Sequence, residues 1–245
     1  MKFNTIKIKG LWLATLSILY VSCSRDTPHI APAESDLSNS AVVQVFSATV
    51  RATRNFIYVD GVPVSGAALA YGGIFPGTAY SFKVNSGTRS FLIKDTLPAT
   101  TQTPLTFSQN MEATKSYTIF SYDTITSVKQ KTVLNNITIP TDTSSRLRFA
   151  NFIYNNTTVP NVDVYSFRRG TAAAAVFSNV ATEQVTDFIP YPSGITDTLY
   201  VYAAGTKTPL LVKKLVPSLV ATRSYTSAYN GSYRGTRDIS TFATY

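Results

Sequence analysis

A six-residue phrase occurs twice in this chain of 245 residues: Ala113 to Thr118 reads ATKSYT, and Ala221 to Thr226, 108 positions later, reads ATRSYT. The correspondence extends upstream. Asn55-Phe56-Ile57-Tyr58-Val59 lies over Asn161-Val162-Asp163-Val164-Tyr165 at an offset of 106, and Val43-Gln44-Val45-Phe46 over Leu147-Arg148-Phe149-Ala150 at 104. A period near the size of a whole small domain implies duplication of a domain, since solenoid repeats recur every 20–50 residues or so. The drift in offset is what insertions in loops produce. The chain is therefore expected to build one unit twice.

Within each copy the signal is alternation at period two, the pattern of a strand with one face buried. Tyr80, Phe82 and Val84 alternate with Ala79, Ser81 and Lys83; Asn85 to Thr88 supply turn residues, and RSFLIK at Arg89 to Lys94 reads as the returning arm of a hairpin. Asp60-Gly61, between β-formers, is the dipeptide that accepts positive φ in a tight hairpin turn. In the second copy TLYVYA at Thr198 to Ala203, the turn Ala204-Gly205 and Thr208 to Lys213 read as a second hairpin. Ser116 to Tyr122 and Ser224 to Tyr229 follow as late strands. The alanine-rich stretches Gly66 to Ala70 and Thr171 to Val176 allow a turn of helix at most. Apolar content of 44% with 14% charged residues, 15 Tyr and 14 Phe suits a folded β-chain rather than a disordered one. The expected fold is all-β: two tandem immunoglobulin-like β-sandwich domains of about seven strands each, with a barrel as the alternative.

The amino terminus reads as an address. Lys2, Lys7 and Lys9 precede an uncharged apolar run, LWLATLSILYV at Leu11 to Val21, and Ser22-Cys23 follow at once. That is a secretory layout, with an apolar core shorter than the roughly 20 residues of a membrane-spanning helix. Leu19 to Cys23 resembles a bacterial lipobox, in which the thiol is alkylated by diacylglycerol and becomes the first mature residue; Tyr20 and Val21 depart from the commonest pattern. Cys23 is the only cysteine, so no disulfide framework exists and core burial must supply the stability. The expected division is a signal peptide at 1–22, a Ser/Pro/Asp-rich stalk at 23–40, a first sandwich at 41–134, a linker at 135–145 and a second sandwich at 146–245. The expected location is the cell envelope, lipid-anchored, at the outer membrane.

Loss of the three leader lysines leaves 19 basic against 13 acidic residues. Arg168-Arg169 and Lys213-Lys214 are only pairs, so no nucleic-acid-binding run is present, and the surplus reads as a solvated basic surface. The expected catalytic inventory is empty. His29 is the only histidine and falls in the stalk, so neither a Ser-His pair nor a Cys/His zinc site can form on the body. The acids sit at expected turns and strand ends, with no calcium-loop spacing and no phosphate-cradling glycine loop. No metal and no cofactor are expected.

The tyrosines keep a binding role open. Tyr200 and Tyr202 lie on one side of a single strand and are the first place to look for an aromatic platform that stacks on a sugar or on a partner protein. The expected partners are the membrane, through the N-terminal lipid, and a glycan or another envelope protein.

The combination of VVQVFSA, FIYVDGVPV, the Gly/Pro turn in GGIFPGTAYSFKV, the late SYT strands and VPNVDVYSF resembles the bacterial family known as domain of unknown function 4397, over about residues 41–233. The resemblance implies an exported β-sandwich protein, often lipid-anchored and found in Bacteroidota. The second copy departs from the pattern, with Ser166-Phe167 where the first has Asp60-Gly61. The family has no established activity and assigns no catalytic or ligand residue. A lipid-anchored envelope protein that binds or scaffolds without catalysis is the leading expectation for function, with a carbohydrate-binding component of a glycan-uptake system as the alternative.

Overall fold

The computed structural model describes residues 36–168 and 170–244. The expected leader, Cys23, His29 and most of the expected stalk lie outside them. The described chain is all-β, without a helix.

Nine strands form in the first half: β1 (Ser40–Ser47), β2 (Asn55–Val59), β3 (Val62–Pro63), β4 (Ile74–Phe75), β5 (Phe82–Asn85), β6 (Gly87–Asp95), β7 (Leu105–Met111), β8 (Ser116–Tyr122) and β9 (Lys129–Leu134). Eight follow: β10 (Ser145–Tyr154), β11 (Val162–Phe167), β12 (Ala174–Val180), β13 (Ile189–Tyr191), β14 (Asp197–Ala203), β15 (Leu210–Val216), β16 (Ser224–Ser232) and β17 (Arg237–Thr244). They make four sheets. The first half has the orders β4-β1-β8-β9, with β5 also on β1, and β3-β2-β6-β7; the second has β13-β10-β16-β17 and β12-β11-β14-β15. The orders correspond, with β13 at the place on its opening strand that β5 takes on β1, and each opening strand pairs in parallel with its late strand, β1 with β8 and β10 with β16.

Alternation along the strands supplies the cores. Val43, Val45, Ile57, Phe91, Ile93 and Ile119 fill the space between the first two sheets, and Phe149, Val162, Val164, Leu199, Val201 and Tyr229 fill it between the second two. The repeated hexapeptide has a structural reason as well. The hydroxyl of Tyr117 accepts the Glu112 N–H at 3.2 Å, and that of Tyr225 accepts the Val220 N–H at 3.0 Å. A tyrosine bonded to backbone a few residues upstream is the tyrosine corner of sandwich folds. Just before each, Thr114 and Thr222 hold positive φ of 67° and 63°, and each donates its N–H at 2.8 Å to a serine carbonyl, Ser40 or Ser144. The phrase is retained because the same corner is built twice.

Three sequence expectations are corrected. The segments around Asn85 to Thr88 are not two arms of a hairpin: β5 pairs with β1, whereas β6 pairs with β2 and β7 in the other sheet. The chain changes layer there, and both segments alternate because both face one core from opposite sides. The alanines at 174 and 175 belong to β12, where pairing with β11 overrides their helix propensity. The offset of 106 is short by one. Ile57 pairs with Ile93 as Val164 pairs with Val201, all four facing inward, so the second strands correspond at 107 and Tyr58 lies over Tyr165. The Asp60-Gly61 hairpin forms as expected, with φ of 49° and 81° between β2 and β3.

The two halves share a third core. Phe46, Phe120 and Tyr122 meet Phe152, Ala228 and Phe242 between the sheets that contain β1 and β10. Phe46 stacks on Phe242 at 5.1 Å, and Phe152 sits 4.6 Å from Phe120 and 5.0 Å from Tyr122. Strands β1, β8, β10 and β16 are therefore buried on both faces. The four sheets form successive layers, and the outward faces of the outermost two, β3-β2-β6-β7 and β12-β11-β14-β15, are the broad sheet surfaces left to meet solvent.

Candidate functional site

On the outward face of β12-β11-β14-β15, antiparallel pairing turns two alternating sequences into one aromatic strip. VDVYSF on β11 sends Val162, Val164 and Ser166 inward and Asp163, Tyr165 and Phe167 outward; DTLYVYA on β14 sends Leu199 and Val201 inward and Tyr200 and Tyr202 outward. The register places Phe167 against Thr198, Tyr165 against Tyr200, and Asp163 against Tyr202. Across the next strand Thr198 meets Leu215 and Tyr200 meets Lys213.

The rings touch in series. Phe167 and Tyr200 are 4.2 Å apart between centroids, Tyr200 and Tyr202 are 6.5 Å apart and within 14° of parallel, and Tyr165 meets Tyr202 edge-on at 5.7 Å. The Lys207 ammonium lies 5.3 Å from the Tyr165 centroid. The three tyrosines are half-buried at their bases, while Phe167 is 38% exposed and Leu215 63%. Tyr200 and Tyr202 are thus brought together as the sequence anticipates. Tyr165, Phe167, Lys207 and Lys213 join them without having been singled out; the outward parity of VDVYSF was the available signal, but its register against TLYVYA was not.

Both ends of the strip are pinned. At one end, buried Asp163 accepts the Asn179 N–H at 2.7 Å and the Gly205 N–H at 2.8 Å, tying β12 and the turn after β14 to β11. At the other, Asp197 is buried and accepts from Ser166 Oγ at 2.5 Å, Arg168 Nε at 3.2 Å, the Thr198 N–H at 2.7 Å and the Tyr191 hydroxyl. Tyr191 belongs to β13, so this carboxylate clamps the two sheets of the second half. Burial of Asp197 pushes its pKa up, but the bonds from Ser166, Tyr191, Thr198 and Arg168 outweigh it and hold the group below its usual 3.8. Burial, reinforced by the bond to Asp197, raises the Tyr191 hydroxyl well above its ordinary value.

Because the native pKa of Asp197 is depressed, its contribution is present above about pH 4 and is lost as pH falls through the native value. Asp197→Ala is expected to cost about 2–3 kcal/mol at neutral pH, since it removes the acceptor of four buried or half-buried donors. Urea unfolding at pH 7 and pH 3 should show that cost shrinking at the lower pH; an equal cost at both would contradict the clamp.

The matching face of the first half differs. At the equivalent places Tyr58 pairs with Leu92, which pairs with Thr106, and Lys94 lies where the second copy has Tyr202. The Lys94 ammonium sits 5.0 Å from the Tyr58 centroid, beside a cavity of about 500 Å³ whose wall includes Phe56, Tyr58 and Lys94. The same sheet therefore folds without the paired rings, and nothing in the fold demands Tyr200 and Tyr202. Among the described residues no cluster of three His, Cys, Asp or Glu converges.

No protein-family model matches this chain, and no curated protein matches it. Among solved structures, one match is CBMbc, a family 26 carbohydrate-binding module from Eubacterium rectale Amy13K, crystallised in complex with maltoheptaose. It is 13% identical, with 82% of this chain and 95% of that chain covered and a TM-score of 0.27.

Proposed function

We propose that this protein is an exported, lipid-anchored, noncatalytic binding protein of the cell envelope, and that the aromatic strip of β11 and β14 is its saccharide-binding face. The observation that carries the reading is the divergence between the copies. Core positions stay apolar in both, whereas the outward positions change from Leu92 and Lys94 to Tyr200 and Tyr202. A fold that needs no rings at those places but has a contiguous row of them is shaped for contact with something outside.

Saccharide fits that row on chemical grounds. The C–H face of a pyranose lies against an aromatic ring, and its hydroxyls reach the phenolic groups and the Lys207 and Lys213 ammoniums at the rim. Affinity electrophoresis of the full chain through gels containing a panel of neutral polysaccharides tests this, with retardation in at least one gel as the expected result. Free migration in all of them, together with a silent glycan array, would remove the saccharide reading and leave a protein partner.

The anchor rests on the sequence around Cys23. Replacement of Cys23 with Ala is expected to move the protein from the membrane fraction to the soluble fraction and to abolish metabolic labelling with an alkyne fatty acid. Unchanged fractionation would defeat the anchor while leaving the binding face untouched.

A further inference from the structure

Each half sends one long polar side chain into the junction from the same place in its opening strand, Gln44 on β1 and Arg148 on β10. Gln44 donates to the carbonyl oxygens of Tyr80 and Ala243 at 2.6 and 3.1 Å. Arg148 is 2% exposed. Its Nε donates to Thr226 Oγ1 at 2.8 Å, and its Nη2 donates to Thr118 Oγ1 at 3.1 Å and Asn135 Oδ1 at 2.8 Å. The Phe188 ring covers the guanidinium at 4.6 Å. Every one of these partners is neutral. Among the described residues no carboxylate lies within 4.0 Å of Arg148, and its Nη1 makes no hydrogen bond.

A buried cation without a counter-charge is costly. The sister copy shows that a neutral group serves, since Gln44 holds the equivalent place. Burial pushes the Arg148 guanidinium down to about 9, so it is still charged at neutral pH. The charge therefore calls for an explanation that packing does not provide.

The surroundings supply one. Arg148 forms part of the wall of a cavity of about 300 Å³ that also includes Arg146, Asn136, Thr138, Thr186 and Phe188. Arg146, two residues earlier on β10, shares the face of Arg148. Among the described residues its guanidinium bonds through Nη1, to Ser144 Oγ and the Ser145 carbonyl, with exposed Asp142 3.9 Å away. The single carboxylate on the wall, Asp187, is exposed and forms no ion pair among the described residues.

We propose that this cavity binds a small oxyanion, either a free ion or the acidic end group of a larger molecule, which supplies the counter-charge that Arg148 lacks. A carboxylate or phosphate oxygen accepts from a guanidinium fork, and two forks with amide and hydroxyl donors beside them make a complete set. The site lies at the junction of the two halves and is independent of the saccharide-binding face.

The test follows the Arg148 Nε–H resonance of the ¹⁵N-labelled full chain while chloride is replaced, at constant ionic strength, by inorganic phosphate in one arm and galacturonate in the other. A saturable shift is expected, with affinity at least fivefold weaker in Arg146→Gln; Arg148→Gln, which installs the residue of the sister copy, should abolish calorimetric binding. Saturation by phosphate alone identifies a free ion, and tighter binding of galacturonate identifies an acidic end group. No saturable shift with either probe, or a shift of equal affinity in Arg146→Gln, would overturn the site. Arg146→Gln decides the matter should Arg148→Gln fail to fold.

Discussion

Exchanging Tyr200 for Leu and Tyr202 for Lys is expected to weaken saccharide binding about a hundredfold while leaving the fold intact. These are the residues that the first copy carries at the equivalent places, Leu92 and Lys94, on a sheet with the same strand order. Truncation of an aromatic contact at the centre of a binding face commonly costs more than about 1.4 kcal/mol, or tenfold, per ring. The stability change is expected to stay within about 1 kcal/mol, because both rings are half-exposed and point away from the core formed by Leu199 and Val201. Affinity electrophoresis and urea unfolding on the same preparation separate the two effects. Retention of binding in the double variant, with wild-type stability, would mean that the strip is not the contact surface.

Phe152→Ala is expected to destabilise the protein by about 4 kcal/mol, within the range for truncating a buried phenylalanine. Phe152 is 1% exposed and contacts Phe120 and Tyr122 of the other half, so the cavity it leaves opens in the shared core rather than inside either sandwich. The cores around Phe91 and around Phe149 are untouched by the change. The expected calorimetric signature is accordingly a single transition in the parent protein that separates into two in Phe152→Ala. Loss of stability with a transition that stays single would show that the halves are coupled chiefly by something other than this core.

Much of the architecture was legible in the residues because it rests on local rules. Alternation at period two marks which side chains share a face whatever the strand pairs with, so β2, β8, β14 and β16 could be located one strand at a time. Asp60-Gly61 specified its own turn, because few other dipeptides accept two successive positive φ values. The repeated hexapeptide marked the duplication because a tyrosine corner needs a tyrosine, its upstream backbone donor and the turn between them in close succession. Pairing partners were less accessible. Nothing in the run from Ala79 to Lys94 distinguishes a hairpin from a crossing between layers, since both place alternate residues in one core.

What the sequence determined by itself was the all-β class, the doubling and the shared side of Tyr200 and Tyr202, each a consequence of short-range periodicity. The tertiary structure decided the rest. Register across β11 and β14 assembled Phe167 and Tyr165 with those rings, and the packing of one half on the other buried Phe46, Phe152 and Arg148 on faces that alternation alone assigns to solvent. A strand's second face acquires its environment from whichever surface arrives to cover it, and that surface lies about a hundred residues away in the chain.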